Sequence, residues 1–524
     1  MEHVAALVSA LRAKGVRIWS DGTHLFYKYS NAQPTPRELE ILRAEKPAIL
    51  QYLSSTAQSD PETPALSSAR PNRAPLSYAL QLAWSIMELN GFDRWRGVIS
   101  AFEIRGPLDT TILRTSVQLL VQRHEALRTR IVAIEGTPWQ QIEAEPRFEF
   151  EVTDLTSTAV QDFDQEIQSS IARLSGRPCA QTSSAPFRVN VLKSSSDLHA
   201  MVCAMNQTII DAASGAILRR DLWELYRHCA SGASPSLPQI RMQPSDFALR
   251  QRELRDSPLK QRHDAHWHQH LAGAHRLAVL PEENRRARAD APAWGMQPLQ
   301  LGSRVAGELR KLCRLQGTTF AMAALSIYTA LICRWCMTYD VVVPFFSGAR
   351  VWPDIENTVG LFASVLLLRM DLSPENTFLE VLRAVTMEHL AALANHDLGE
   401  IYIRTPRLEC TRNPIFFWHP SGFRENSHNH IEIVSRDHAL KHSLETRGLP
   451  LNDGIAQDFK VDPDDAPFDL DLYETPEGAV GKITYQANCV CADTVDRFAR
   501  NYVHFSEVLA ERPHVRLKEI TCIT

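Results

Sequence analysis

The chain has 524 residues, 44% hydrophobic and 22% charged, with a net charge of −5. Such a length suggests two to four structural units with ample material for large cores, and the mild acidity gives no reason to expect nucleic acid or an anionic membrane as partner. No apolar run reaches the ~18 residues of a membrane span, the opening MEHVAALVSALRAKG is not a secretion signal, and ten scattered cysteines without a framework spacing point to a reduced, cytoplasmic protein with no zinc site.

Residues 1–53 read as a small module of order α-β-β-α-α. Val4, Leu7, Val8 and Leu11 share one helical face, and Gly15 can end that helix. VRIWSDGTHLFYKY then places two β-rich runs around Asp21-Gly22, a strong hairpin signal. Thr35-Pro36-Arg37-Glu38 has the pattern of a capping box with proline in the first turn, ahead of Leu39 and Leu42. A further short helix from Pro47 carries Ile49, Leu50 and Leu53. A hairpin edge offers unpaired N–H and C=O groups to an extended peptide. Arg17 and Lys28 favour an acidic one, and Tyr27 and Tyr29 flank Lys28 on the second strand. The order of elements resembles the β-hairpin docking domains, of the tubulysin type, found at the N-termini of assembly-line enzymes. The alternative is a structural subdomain with no partner. Residues 54–74, rich in Ser, Pro, Thr and Ala, read as a flexible tether and a domain boundary.

From Pro75 onward the pattern is α/β. PLSYALQLAWSIMEL opens as a helix and GVISAFEIRG as a strand stopped by Gly106-Pro107. Leu113, Val117, Leu120 and Val121 recur at helical spacing, and a helix extending through RHEALRTR would carry His124. FRVNVLKSSSDLHAMVCAM reads as two strands around a serine-rich turn, and ILRRDLWELYRHCA as a helix with Leu218, Leu222, Leu225 and Tyr226 on one face. Between that strand and that helix lies a loop, NQTIIDAAS, at the kind of strand end where sites are built. In the second half, GTTFAMAALSIYTALICRWCM is a strongly apolar helix, while DVVVPFF, LFASVLLLRMDL, NPIFFWH and GKITYQANC are strands. His263, His266 and His270 fall on one helical face that reads as solvated rather than metal-binding.

Ten of these segments, in order, carry a resemblance. PLSYALQLAW, RHEALRTR, DLWELY, QPSDFALRQREL, GTTFAMAALSIYTALICRW, DVVVPFFSGAR, GLFASVLLLRMDL, NPIFF, PFDLDLYE and GKITYQANC together resemble the condensation domains of nonribosomal peptide synthetases, from Pro75 to Ile520. The resemblance implies two chloramphenicol-acetyltransferase-like lobes, 75–258 and 259–524, meeting in a V around a tunnel with a carrier protein at each end. It implies no resident cofactor; the phosphopantetheine arm of the partner carrier is substrate. No adenylation, carrier or thioesterase segment fits after residue 520, so a free-standing protein is expected, served by an upstream acyl or peptidyl carrier with a short acidic C-terminal docking peptide.

In that family the loop reads His-His-x-x-x-Asp-Gly. Here Asn206 stands at the first His, Gln207 at the second, Asp211 at the Asp and Ala212 at the Gly. The resemblance implies an ion pair between Asp211 and Arg350 that shapes the loop. Gln207 cannot accept a proton at neutral pH. General-base help is worth about 10²–10⁴ in rate, but an α-amine with a pKa near ~8 is already partly neutral, and positioning supplies about 10⁵–10⁸ M of effective molarity. The sequence therefore permits amide formation on an acceptor amine, free or carried, and disfavours ester formation. Asn206 and Gln207 are candidates for orienting substrate, with Ser214 a further one. His419, at a strand end before Pro420, either substitutes for the missing base or simply packs. Two other readings stay open: a catalytically silent recruiting module, and heterocyclisation. The related cyclisation loop is Asp-x-x-x-x-Asp-x-x-Ser, which Asn206, Asp211 and Ser214 match in two positions of three.

Overall fold

The computed structural model describes residues 16–20, 25–29, 45–49, 72–90, 97–145, 147–157, 162–175, 186–277, 295–348, 350, 352–395, 413–419, 426–428, 431–435, 468–487 and 490–522. Two compact units are present: Met1–Arg70 with Leu390–Asp397, and Pro71–His389 with Leu398–Thr524. In the first, β1 (Val16–Ser20) and β2 (Leu25–Tyr29) pair antiparallel, with Arg17 opposite Lys28. Residues 46–49 are helical and Ile49 is buried, where the short helix from Pro47 is expected. The Asp21-Gly22 turn, the first helix, the capping box and the tether lie outside the described residues.

The second unit is built on two six-stranded sheets. In the sheet of the first lobe, β9 (Leu198–Asn206) pairs antiparallel with both β4 (Gly97–Arg105) and β8 (Phe187–Lys193), and β7 (Glu149–Asp154) lies parallel to β8. The strand LHAMVCAMN alternates small and large side chains because each face meets a different layer. Ala200, Val202 and Ala204 pack on Phe163, Ile167, Ile171 and Leu174 of α3 (Phe163–Ser175). Met201, Cys203 and Met205 pack on α2 (Thr110–Arg123) and α4 (Ala212–Ser231) through Val117, Leu120, Leu218 and Leu222. Burial on both faces gives the near-continuous apolar run read in the sequence.

Two features there depart from the sequence reading. Helix α2 stops at Arg123, and His124 is extended; after a 3₁₀ turn the chain becomes β5 (Thr129–Ile134). β5 turns through Glu135 and Gly136, both at positive φ, into β6 (Thr137–Ile142). That two-residue turn suits a hairpin because its twist matches that of the strands. β3 (Arg73–Pro75) completes a small three-stranded sheet with this hairpin. Further on, β14 (Asn426–His428) and β15 (Ile431–Ser435) leave the second half of the chain to extend the first lobe's sheet, with Glu432 opposite Arg105 of β4. The sequence reading assigned no strand to them.

The second lobe's sheet runs β10-β17-β16-β13-β11-β12, from Gly295–Leu301, Gly478–Tyr485, Phe468–Thr475, Phe416–His419, Asp340–Ser347 and Ser364–Asp371 respectively. An apolar helix (Phe320–Cys336) lies against it, buried almost all round, as a helix without a polar face must be. Its Tyr328 meets Phe416 of β13 at 5.2 Å between ring centroids, and Tyr502 of the helix Ala492–Glu511 donates to its Ala324 carbonyl at 3.0 Å. Among the described residues no single helix is long and apolar enough to cross a membrane.

Gly481 of β17 is demanded by close approach: a Cβ there would sit 2.1 Å from the Asp471 carbonyl oxygen and 2.7 Å from Leu472. Gly481→Ala should therefore destabilise the fold by about 1–3 kcal/mol, seen as a lower denaturant midpoint. An unshifted midpoint would show that β16 and β17 can part freely at this point.

A buried clasp and a substituted loop

The loop after β9 is shaped by its own side chains. Asn206 is buried, and its side-chain oxygen accepts from the Thr208 N–H at 3.0 Å and the Thr208 hydroxyl at 2.8 Å. It thereby caps the 3₁₀ turn Gln207–Ile209. The Gln207 side chain lies outside the described residues. Asp211 then caps α4: its Oδ1 accepts from the Ser214 N–H at 2.9 Å and the Ser214 hydroxyl at 2.8 Å, in a reciprocal capping box. A negative carboxylate is also favoured at a helix N-terminus by the aligned peptide dipoles.

Arg350 reaches this cap from the segment that follows the second lobe's strand β11. Its Nη2 lies 2.7 Å from Asp211 Oδ1 and 3.1 Å from Ser214 Oγ, and its Nη1 donates to the Ile355 and Thr358 carbonyls. The guanidinium carbon lies 4.7 Å from the Phe362 ring centroid. The other Asp211 oxygen accepts from the Phe362 N–H at 3.2 Å, and Ser214 Oγ accepts from the Gly360 N–H at 3.1 Å. Both charges are buried, with side-chain exposures of 7% and 0%, and each finds several partners. That is the condition under which a buried ion pair is tolerated. Asp211, Ser214 and Arg350 are thus brought together as one bonded unit. Beside it, Thr208, Ile209 and Phe362 line a partly open pocket with Leu80, Ile131 and Phe247, about 400 Å³ of empty space counting its open side.

His419 is placed elsewhere, at the end of β13. Its Nε2 lies 2.7 Å from Asp471 Oδ1, and its ring stacks on Tyr473 with centroids 4.1 Å apart and planes at 8°. The Tyr473 hydroxyl donates to the other Asp471 oxygen at 2.9 Å. Sequence reasoning missed Asp471 and Tyr473, although the alternation in FDLDLYE puts Asp469, Asp471 and Tyr473 on one face of β16. Burial pushes the Asp469 carboxyl up to about 7, against the Ile415 N–H that it accepts at 2.8 Å and with a further push from Asp471.

His124 and the histidine face of the helix Pro258–His270 are packed among protein partners. His124 is fully buried, with Nε2 3.0 Å from Asp221 Oδ2 of α4, and burial lowers its pKa. Arg123 and Arg220 lie 2.8 and 2.7 Å from the same carboxylate. Burial raises the Asp221 carboxyl, but the bonds from His124 and Arg123, with the charge of Arg220, outweigh it and bring it down to about 2. The helix Pro258–His270 is packed rather than solvated on its histidine face. His263 and Trp267 are buried, and His266 stacks on His270, which lies 2.7 Å from Glu388.

Two doubled α/β layers joined through a buried carboxylate–guanidinium pair accord with what the comparisons find. The family model described as "Condensation domain" matches residues 73–524, and the chain belongs to that family. Tyrocidine synthase 3 of Brevibacillus parabrevis is 26% identical over 458 residues, 86% of this chain but 6% of that protein. Phosphinothricin tripeptide synthetase PhsC of Streptomyces viridochromogenes is 27% identical over 86% of this chain and 40% of its own length. The chain therefore spans a minor part of these relatives. Among solved structures, the first condensation domain of the calcium-dependent antibiotic synthetase, in complex with a substrate analogue, superposes with a TM-score of 0.67 at 19% identity, covering 88% of this chain and all of that one. The X-domain from teicoplanin biosynthesis gives 0.67 at 22% identity, with the same coverage. These likenesses establish the fold, two chloramphenicol-acetyltransferase-like lobes.

Two measurements test the buried charges. Arg350→Ala leaves Asp211 buried and unpaired, and should cost about 3–5 kcal/mol; the double variant Asp211→Asn/Arg350→Met should recover part of that, by at least ~0.5 kcal/mol of coupling in a denaturant cycle. The Asp221 carboxyl is depressed in the fold, so its stabilisation is complete above its unfolded value near ~4 and is lost as pH falls through about 2. Stability of the wild type should therefore fall by an additional ~2 kcal/mol across that window relative to Asp221→Asn; parallel acid profiles would show that this carboxylate is not held charged.

Proposed function

We propose that the chain is a carrier-dependent acyltransferase of the condensation type. It takes an acyl or peptidyl thioester from the phosphopantetheine arm of an upstream carrier protein and passes it to an amine. The observation that carries this reading is the intact clasp. Asp211, Ser214 and Arg350 hold the loop in full hydrogen-bond register, while Asn206 and Gln207 occupy the histidine positions. A catalyst that keeps the geometry and lacks the usual base can still act by positioning, because a neutral amine needs orientation more than deprotonation. A hydroxyl acceptor needs the base, so esters are disfavoured.

Residues 1–53 serve as a docking domain and 54–74 as its tether. Support comes from the backbone register of the hairpin, which sets Arg17 directly opposite Lys28. Two like charges at facing positions are unfavourable by themselves and suit an acidic peptide laid along the edge. Tyr27 and Tyr29 stand at alternate positions of β2 and are the further residues assigned to the same peptide. The working compartment is the cytoplasm, where such carriers operate.

A second reading is favoured by one neighbour. The teicoplanin X-domain, of the same fold, was solved in complex with OxyB, and a condensation-like chain that recruits a protein need do no chemistry. The two readings are separated by mixing acyl-loaded carrier with a broad panel of amines and following intact masses. Transfer to an amine, and slower transfer to the matching alcohol, is the expected result. Carrier binding without transfer to any amine would establish the recruiter. Deleting residues 1–53 should weaken carrier capture and leave the remaining chain folded; unchanged affinity would remove the docking assignment.

A further inference from the structure

We propose that His419 is the general base of this protein, set on the opposite lobe from the substituted loop and held by Asp471 and Tyr473. The inference deepens the acyl-transfer reading above and rests on it.

The strand register puts His419 at the right end of the sheet. β13 runs parallel to β11, with Phe417 level with Phe346. Beyond Phe346, β11 continues through Ser347 to the segment carrying Arg350, and Ser347 pairs with Ser364, just past Phe362. Arg350 and Phe362 are the groups that bond Asp211 across the lobes. His419 therefore ends its strand where the second lobe meets the loop, one strand from β11, about 4.8 Å in a sheet.

Its side chain is on the face away from the apolar helix. Phe416 and Trp418 pack on Tyr328 and Phe320 of that helix, so by the alternation of a strand Phe417 and His419 point the other way. The imidazole is 28% exposed, reachable by a small acceptor, whereas Asp471 behind it is 14% exposed. Asp471 Oδ1 lies 2.7 Å from Nε2 without an aligned N–H···O bond, so the carboxylate faces the ring as a close negative charge. Tyr473 fixes both partners, stacking under the ring and donating to the far carboxylate oxygen. An imidazole held by ring stacking, with a carboxylate close enough to balance its positive charge, suits general-base catalysis.

In the step assigned to it, the acceptor nitrogen attacks the thioester carbonyl carbon, the C–N bond forms, and the nitrogen's proton passes to the ring nitrogen of His419 that carries no hydrogen. The C–S bond then breaks and that proton goes to the departing sulfur, giving an amide and the free pantetheine thiol. Asp471 balances the transient imidazolium.

The test uses the full chain with acyl-loaded carrier and an α-amine acceptor, with and without added imidazole. His419→Ala should slow transfer by about 10²–10⁴ while carrier binding and the thermal midpoint hold, Asp471→Asn should slow it in the same direction, and added imidazole should restore part of the rate to His419→Ala. His419→Gln, which keeps the volume, should be slowed as His419→Ala is. If the wild type transfers and His419→Ala transfers equally well, or is slowed with no gain from added imidazole, His419 is not the base and the acyl-transfer reading stands. If the wild type does not transfer while binding the carrier, that reading fails first and this inference with it.

Discussion

The bond between Asp211 and Arg350 is the constraint from which the rest of the site follows. Two opposite charges are withdrawn from water at the junction of the lobes, and each would be costly alone. The structure compensates by giving the carboxylate four approaches: the Ser214 N–H and hydroxyl, the Phe362 N–H and the guanidinium. Those same contacts begin helix α4, fix the backbone at Gly360 and Phe362, and hold the 3₁₀ turn Pro353–Ile355 through the Ile355 carbonyl. One ion pair thus ties a helix start in one lobe to a strand start in the other. A change at either charge propagates to both.

This separates shape from chemistry. The loop retains the partners that define its path, and Asn206 adds a cap of its own over Thr208. What is missing is a group on the loop able to take a proton. Loss of a base lowers a rate by a few kcal/mol of barrier and leaves the fold untouched, whereas loss of the clasp would strand a buried charge. The two are comparable in size but act on different quantities, so a chain can dispense with the first while keeping the second.

Much of this was legible in the sequence, for physical reasons that can be stated. β9 and the apolar helix were plain because burial on all sides leaves an unbroken apolar run, and Asp211 stood out as a lone acid among Ile209, Ile210 and Ala212. The hairpin β5–β6 was hidden because its turn, Glu135-Gly136, follows directly on a helical pattern whose period masks a strand. β14 and β15 are short and gain their stability from pairing with β4, a non-local bond that no local pattern encodes. Asp471 and Tyr473 were present in a clean period-2 alternation, but their meaning depends on a neighbour, His419, that arrives from β13 by parallel pairing. The chain between those strands is long, and sequence spacing says nothing about such a meeting.

The lobes are connected twice, in different ways. Side chains cross from Arg350 to Asp211, and backbone crosses when the chain leaves β13 and returns as β14, the edge of the other sheet, and β15, which runs along β4 from Arg105 back towards Phe102. His419 is the last residue of β13 before that departure. A strand that must leave its sheet cannot bury its final side chain under further strand, so the position is half-open by construction, and it lies next to the strand whose continuation makes the clasp. Half-open, backed by a carboxylate and fixed by a stacked ring, it has what a proton acceptor needs and what a merely packed strand end does not require. The same crossing that joins the two sheets therefore creates the opening in which a displaced base can work.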